Sequence, residues 1–297
     1  MGKEAKSHLV EGLKELHLPT MRRDFEAQAR RAEKETWSYE DYLLELVQVE
    51  CAARRGNRIE RLLRQSRIPP EKDLACFDLK RLPLKVSRQY RTLLEGSFVD
   101  RRENVLVFGG TGSGKTHSLC ALGQELVRAG RKVLMCTCSA LVQELLVAKR
   151  DLRLNKELRR LNRHEVLFID DMGYVQQSRE EMEVLFTLLA ERYERGSVLL
   201  TSNLAFSQWE RIFKDPMTTV AAIDRLVHHS VILELNLPSY RMEEAKKAKQ
   251  QAETTEDAST AKTETSAPTA GDEAQAKAGM PTQAKKPSRK GEGKRRS

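Results

Sequence analysis

The chain of 297 residues carries 52 Lys and Arg against 43 Asp and Glu, a formal net charge of +9, with 39% hydrophobic residues. That length holds one large or two smaller domains, and that apolar content fills a core only if some segment stays outside it. No apolar run approaches the ~18 residues of a membrane span, and the start, Met1-Gly2-Lys3-Glu4, is too polar for a signal peptide, so a cytoplasmic protein with no membrane partner is expected.

The excess of base favours a polyanionic partner, nucleic acid first, although a charged soluble surface is the plainer account of it. Five cysteines include Cys136 and Cys138, which alternation turns the same way in an expected strand. No second pair completes a zinc site, so reduced structural thiols are expected.

Residues 1–75 read as a small helical module. Leu9, Leu13 and Leu16 keep one face apolar; Ser38-x-x-Asp41 resembles a capping box ahead of an apolar stripe of Tyr39, Leu43, Leu46 and Val47. A third helix carries Arg54, Arg58 and Arg61 on one face, with Arg55, Arg64 and Arg67 beside them and no matching acids, which suits phosphate contact as well as it suits a solvated face. Ile68-Pro69-Pro70 stops that helix, and a mixed connector runs to about residue 103.

Beyond the connector, polar and apolar patterns alternate. Val105-Leu106-Val107-Phe108 reads as a strand, and further strands are expected over 132–137, 166–170, 197–201 and 231–235. Helices are expected after the first strand and over 139–149, 180–194, 207–213 and 218–227, the third of these opened by the capping box Ser178-x-x-Glu181. Lys149, Arg150, Arg153, Lys156, Arg159, Arg160 and Arg163 crowd one helical stretch between the second and third strands. Strands alternating with helices make an α/β, parallel, doubly wound sheet over 76–244. From 245 to 297 there is no aromatic residue and almost no branched aliphatic one; a disordered basic tail is expected, ending in Lys294-Arg295-Arg296.

The chemistry begins where the first strand ends. Gly109, Gly110, Thr111, Gly112, Ser113, Gly114, Lys115 and Thr116 match G-x-x-x-x-G-K-[ST] between a strand and a helix. Glycines let successive N–H groups turn toward phosphate oxygens, Lys115 reaches the β- and γ-phosphates, and the Thr116 hydroxyl ligates Mg²⁺. The helix start adds its dipole. Val166-Leu167-Phe168-Ile169-Asp170-Asp171 is an apolar strand ending in two acids, a costly pairing without a cation nearby. Asp170 is expected to hold Mg²⁺ through water and Asp171 to polarise the attacking water. Asn203, closing the next strand, is expected beside Asp171, orienting that water.

These motifs, with His117 after the loop, Ile169-Asp170-Asp171-Met172-Gly173-Tyr174, Ser178-Arg179-Glu180-Glu181, Glu191 through Ser197, Thr201-Ser202-Asn203, Asp224-Arg225-Leu226 with His228-His229, and Ser239-Tyr240-Arg241, make the chain resemble the IstB transposition-helper ATPases. Those are AAA+ proteins related to the helicase loader DnaC and the initiator DnaA. The resemblance runs through about residue 244 and implies a P-loop NTPase core, ATP and Mg²⁺ as cofactors, DNA-stimulated hydrolysis, and homo-oligomers, ring or helical, on double-stranded DNA that is delivered to a partner transposase. It makes Lys115 and Thr116 the Walker A pair, Asp170 and Asp171 the Walker B pair, Asn203 a sensor, Arg225 an arginine finger, and Arg241 the counterpart of a second sensor. His117 joins the loop as a nucleotide-binding residue. Gln176-Gln177, where relatives often carry proline, and the basic tail depart from the pattern. Two other readings stay open: a replicative-helicase loader on the same engine, and a small-molecule kinase, for which no acceptor pocket or lid is visible.

Overall fold

The computed structural model describes residues 3–173, 178–204, 208–209, 223–243 and 245–246. All of them fall in one of the chain's two units, Met1–Lys246; the other is Lys247–Ser297. All but residues 208–209 of the expected helix over 207–213, the first half of that over 218–227, Tyr174, Gln176-Gln177 and nearly all of the expected tail lie outside the described residues.

The sheet follows from five apolar runs. β1 (Asn104–Gly109), β2 (Val133–Thr137), β3 (Val166–Met172), β4 (Ser197–Ser202) and β5 (Ser230–Leu235) pair in the order β2-β3-β4-β1-β5, all parallel. β1, β3 and β4 are buried along nearly their whole length, as strands covered on both faces must be. α6 (Lys115–Arg128), α4 (Leu84–Leu94) and α5 (Ser97–Asp100) share one apolar cluster with Val105, Val107, Phe168 and Leu199. α7 (Cys138–Arg150), α8 (Leu154–Leu161) and α9 (Arg179–Arg192) share another with Leu106, Leu167, Ile169 and Leu200. Because neighbours along a strand point to opposite faces, the two lists alternate residue by residue. The expected doubly wound α/β architecture is therefore present.

α1 (Lys3–Glu15), α2 (Pro19–Lys34) and the first turns of α3 (Tyr39–Ser66) enclose a third cluster of Leu13, Met21, Phe25 and Leu46. The second and third helices expected from sequence are one. α3 has 28 residues, about 42 Å of helix, and it puts Leu46 in the N-terminal cluster and Leu62 in the cluster beside α6.

The structure corrects other local expectations. Leu16 lies past the end of α1 and is 68% exposed, and of the stripe on α3 only Leu46 is buried while Tyr39 is 92% exposed. Arg54 and Arg64 do have acids, Glu50 and Glu60 one turn earlier, at 2.9 and 3.2 Å. The connector holds a helix: Val86, Ser87, Tyr90 and Leu93 give α4 a buried face, and Tyr90 donates its hydroxyl proton to the Ser118 carbonyl at 2.7 Å. The basic stretch is broken between α7 and α8 at Leu152, whose φ is 55°. Both capping serines act as expected: Ser38 Oγ accepts the Asp41 N–H, and Ser178 and Glu181 make both arms of their box.

Candidate functional site

Parallel strands end together, so the loops after β1, β3 and β4 gather at one edge of the sheet. The loop from Gly109 to Gly114 turns there, with Gly112 at φ 79° and Gly114 at φ 93°, conformations that favour glycine. A Cβ on Gly112 would run into Ser239 Oγ, and one on Gly109 into the Leu235 carbonyl. Tyr240 N–H donates to the Gly112 carbonyl at 3.0 Å. The segment following β5 thus packs directly on the phosphate loop, an arrangement that no sequence pattern announced.

Inside the loop, Lys115 is buried, and its ammonium donates to the Gly110 carbonyl at 2.9 Å. Burial pulls that ammonium below the usual lysine range; Asp171 and Asp170 pull the other way, and Arg241 adds to the depression. Ser113 Oγ is buried without a hydrogen-bond partner. A hydroxyl in that position is costly unless something fills the cradle, and phosphate oxygens are acceptors of the kind it lacks.

Thr116 Oγ1 donates to Asp170 Oδ1 at 2.9 Å, joining the two residues expected at Mg²⁺. Thr201 Oγ1 donates to the same oxygen at 2.6 Å. Asp170 Oδ2 accepts no hydrogen bond among the described residues. Burial raises the Asp170 carboxyl above its ordinary range, Thr201 and Thr116 lower it by hydrogen bonding, and Asp171 raises it further. A carboxylate with one free oxygen beside a hydroxyl suits a hard divalent cation. Asp171, the next residue, is exposed at φ 59°, and its N–H donates to Thr201 Oγ1 at 2.8 Å. Thr201 belongs to the Thr201-Ser202-Asn203 run, but its own role is not legible in sequence, because it depends on which strand lies beside it.

The remaining candidates spread outward. Asn203 follows β4 at the same edge, exposed, with no hydrogen bond among the described residues. His117 is half-buried and turned toward the connector: its ring nitrogen meets the Asp73 carbonyl at 3.1 Å, and Phe77 lies 5.3 Å from it, centroid to centroid. Arg225 lies just before β5, at the other edge of the sheet, where the Leu226 carbonyl accepts from Asn104 Nδ2 at 3.1 Å. Its guanidinium stacks on Phe186 at 5.0 Å and makes no ion pair among the described residues.

Residues 11–248 match the family described as IstB-like ATP binding protein. A relative from Sinorhizobium fredii, named for an insertion sequence and ATP binding, is 39% identical over 238 residues, 80% of each chain. One from Geobacillus stearothermophilus, named for insertion sequence IS5376 and ATP binding, is 36% identical over 239 residues, 80% of this chain and 95% of that one. Another, from Pseudomonas aeruginosa and named for insertion sequence IS21, is 38% identical over 223 residues, 75% of this chain and 84% of that one. Solved structures with some likeness include DnaI, at TM-score 0.47 and 22% identity over 57% of this chain and 94% of that one. AMPPCP-bound DnaA from Aquifex aeolicus has a TM-score of 0.49 and 17% identity over 62% of this chain and 56% of that one. The nucleotide cradle thus sits in a sequence of known kind: the chain belongs to the IstB-like ATP-binding protein family.

Proposed function

We propose that this AAA+ chain hydrolyses ATP with Mg²⁺, binds double-stranded DNA as a homo-oligomer, and assists a partner transposase encoded by an insertion sequence. The observation that carries the ATPase part is the cluster of Lys115, Thr116, Asp170 and Asp171 at one sheet edge, with Ser113 left unpartnered in the cradle. The transposition part rests on the names of the relatives. DNA binding is supported by the net charge of +9 and by exposed cations without ion pairs among the described residues.

In this reading the loop amides and Lys115 hold the β- and γ-phosphates, while Thr116 and Asp170 hold the cation. Mg²⁺, when bound, supplies neutralising charge on the phosphate oxygens. Asp171, exposed and one residue along, polarises the attacking water, and Asn203 orients it.

Two variants separate binding from chemistry. Lys115→Ala removes the buried cation and is expected to weaken binding of a fluorescent ATP analogue by about 10- to 100-fold. Asp171→Asn is expected to bind ATP as the parent does while phosphate release slows by about 10²- to 10³-fold. Hydrolysis at the parent rate by Asp171→Asn would show that this carboxylate does not activate water.

A further inference from the structure

Regular strands send neighbouring side chains to opposite faces, so a break in the ladder helps two consecutive acids at a strand end turn to one site. β3 has that break. Ile169 pairs with Leu200 and Met172 with Ser202, so two residues, Asp170 and Asp171, stand opposite one, Thr201. This is a β-bulge, the device that re-aims a side chain beside a site. Asp171 takes φ 59°, which costs an ordinary L-residue energy and persists only where the surroundings hold it.

Ser202 Oγ donates to the Met172 carbonyl at 2.8 Å beyond the bulge, but the hydroxyl that reaches both acids is that of Thr201. Thr201 is fully buried, and its Oγ1 accepts the Asp171 N–H at 2.8 Å while donating its proton to Asp170 Oδ1 at 2.6 Å. It thereby satisfies the amide that the bulge removed from the ladder and fixes the carboxylate that Thr116 also grips. Valine has the same shape and packs better in a buried parallel strand, so packing alone gives no reason for the hydroxyl.

We infer that Thr201 is a positioning residue for ATP hydrolysis: its hydroxyl clasps the bulge so that Asp170 stays turned to the cation and Asp171 to the attacking water. The inference rests on the ATPase reading above. Asp170 and Asp171 do the work on the ligand; Thr201 sets the angle between them.

The test compares Thr201→Val, which deletes the hydroxyl at constant shape, with Thr201→Ser, which keeps it. In the full chain, hydrogen exchange over residues 166–173 reads the clasp directly: Thr201→Val is expected to speed exchange of one amide by about tenfold or more, and Thr201→Ser to leave it protected. Steady-state hydrolysis reads the consequence. Thr201→Val is expected to lower kcat about 100-fold while binding of a fluorescent ATP analogue without Mg²⁺ stays within about threefold of the parent, and Thr201→Ser is expected to keep most of kcat. Parent-like kcat in Thr201→Val overturns the inference, and so does a fall in Thr201→Ser as deep as in Thr201→Val, which would assign the effect to packing. A parent chain that binds ATP but never hydrolyses it would sink the ATPase reading instead, and the exchange comparison would then decide the clasp by itself.

Discussion

Glu50 shows how one buried acid can organise a module. Helix α2 starts without a side-chain cap, since Leu18 occupies the N-cap position and leaves orphan N–H groups. Glu50, reaching across from α3, accepts the N–H of Thr20 at 2.8 Å and of Met21 at 3.0 Å on one oxygen and Arg54 Nε at 2.9 Å on the other. Burial pushes its carboxyl up, but the Met21, Arg54 and Thr20 donors more than offset this and leave it below the usual range. A carboxylate held low in the fold contributes stability above its unfolded value of about 4.3, and that contribution disappears as pH falls through the folded value. Glu50→Ala is expected to cost about 2–3 kcal/mol at neutral pH, with Glu50→Gln recovering part of it. Urea unfolding followed through Trp37, in the turn between α2 and α3, measures both, and the gap between parent and Glu50→Gln should narrow in acid. An unchanged midpoint at pH 7 would mean that α2 does not need this cap.

At the scale of elements, the basic stretch sorts itself once ion pairs are known. Lys149 pairs with Glu183, Arg150 and Arg153 with Asp151, and Arg160 with Glu157 and Glu144. Lys156, Arg159 and Arg163 are exposed and have no ion pair among the described residues; lying at i, i+3 and i+7, they share one side of α8 and its exit. Lys156 and Arg163 also line a cleft of about 960 Å³ with Arg67, Arg153 and Arg160. If this side meets the DNA backbone, replacing Lys156, Arg159 and Arg163 by Gln should reduce the slope of log affinity against log salt by about 0.9 for each phosphate no longer neutralised. Arg160→Gln alone should change it less. A salt titration unmoved by the triple change would make α8 an ordinary solvated helix.

Why some elements were legible and others were not follows from the same local forces. The buried strands announced themselves as apolar runs, and the phosphate loop as glycines before Lys115, because each signal is contained in consecutive residues. Helix α4 was readable too, in the spacing of Val86, Tyr90 and Leu93, but the prolines around it masked the period. The bulge at Asp170–Asp171 was not, since it exists only relative to β4. The stripe of Tyr39, Leu43 and Val47 misled because amphipathic spacing says which residues share a face and not whether anything covers it.

For the whole molecule, the decisive geometry is which edge of the sheet each candidate occupies. The phosphate loop leaves the carboxyl end of β1, while Arg225 precedes β5, which runs parallel to β1 with Asn104 opposite Ser230 and Gly109 opposite Leu235. One strand length, about 17 Å for six residues, therefore separates Arg225 from its own loop. An arginine side chain does not span that distance, so if Arg225 touches a γ-phosphate, the nucleotide belongs to a neighbouring subunit. An internal ion pair would be another use for this arginine, but among the described residues it has none, and its guanidinium lies over Phe186. A site shared between subunits requires a head-to-tail interface, which builds a ring if the rotation closes and an open helix if it does not. Mixing tests this directly. Lys115→Ala subunits keep Arg225 but lack the loop lysine, and Arg225→Ala subunits keep the loop but lack that arginine, so if Arg225 acts across the interface each should be inactive alone. Mixed on DNA, an intact loop from one meets an intact arginine from the other, and ATPase activity should reappear, highest near equal proportions. If the two variants exchange subunits within one assembly and phosphate release stays at background, Arg225 does not act across the interface.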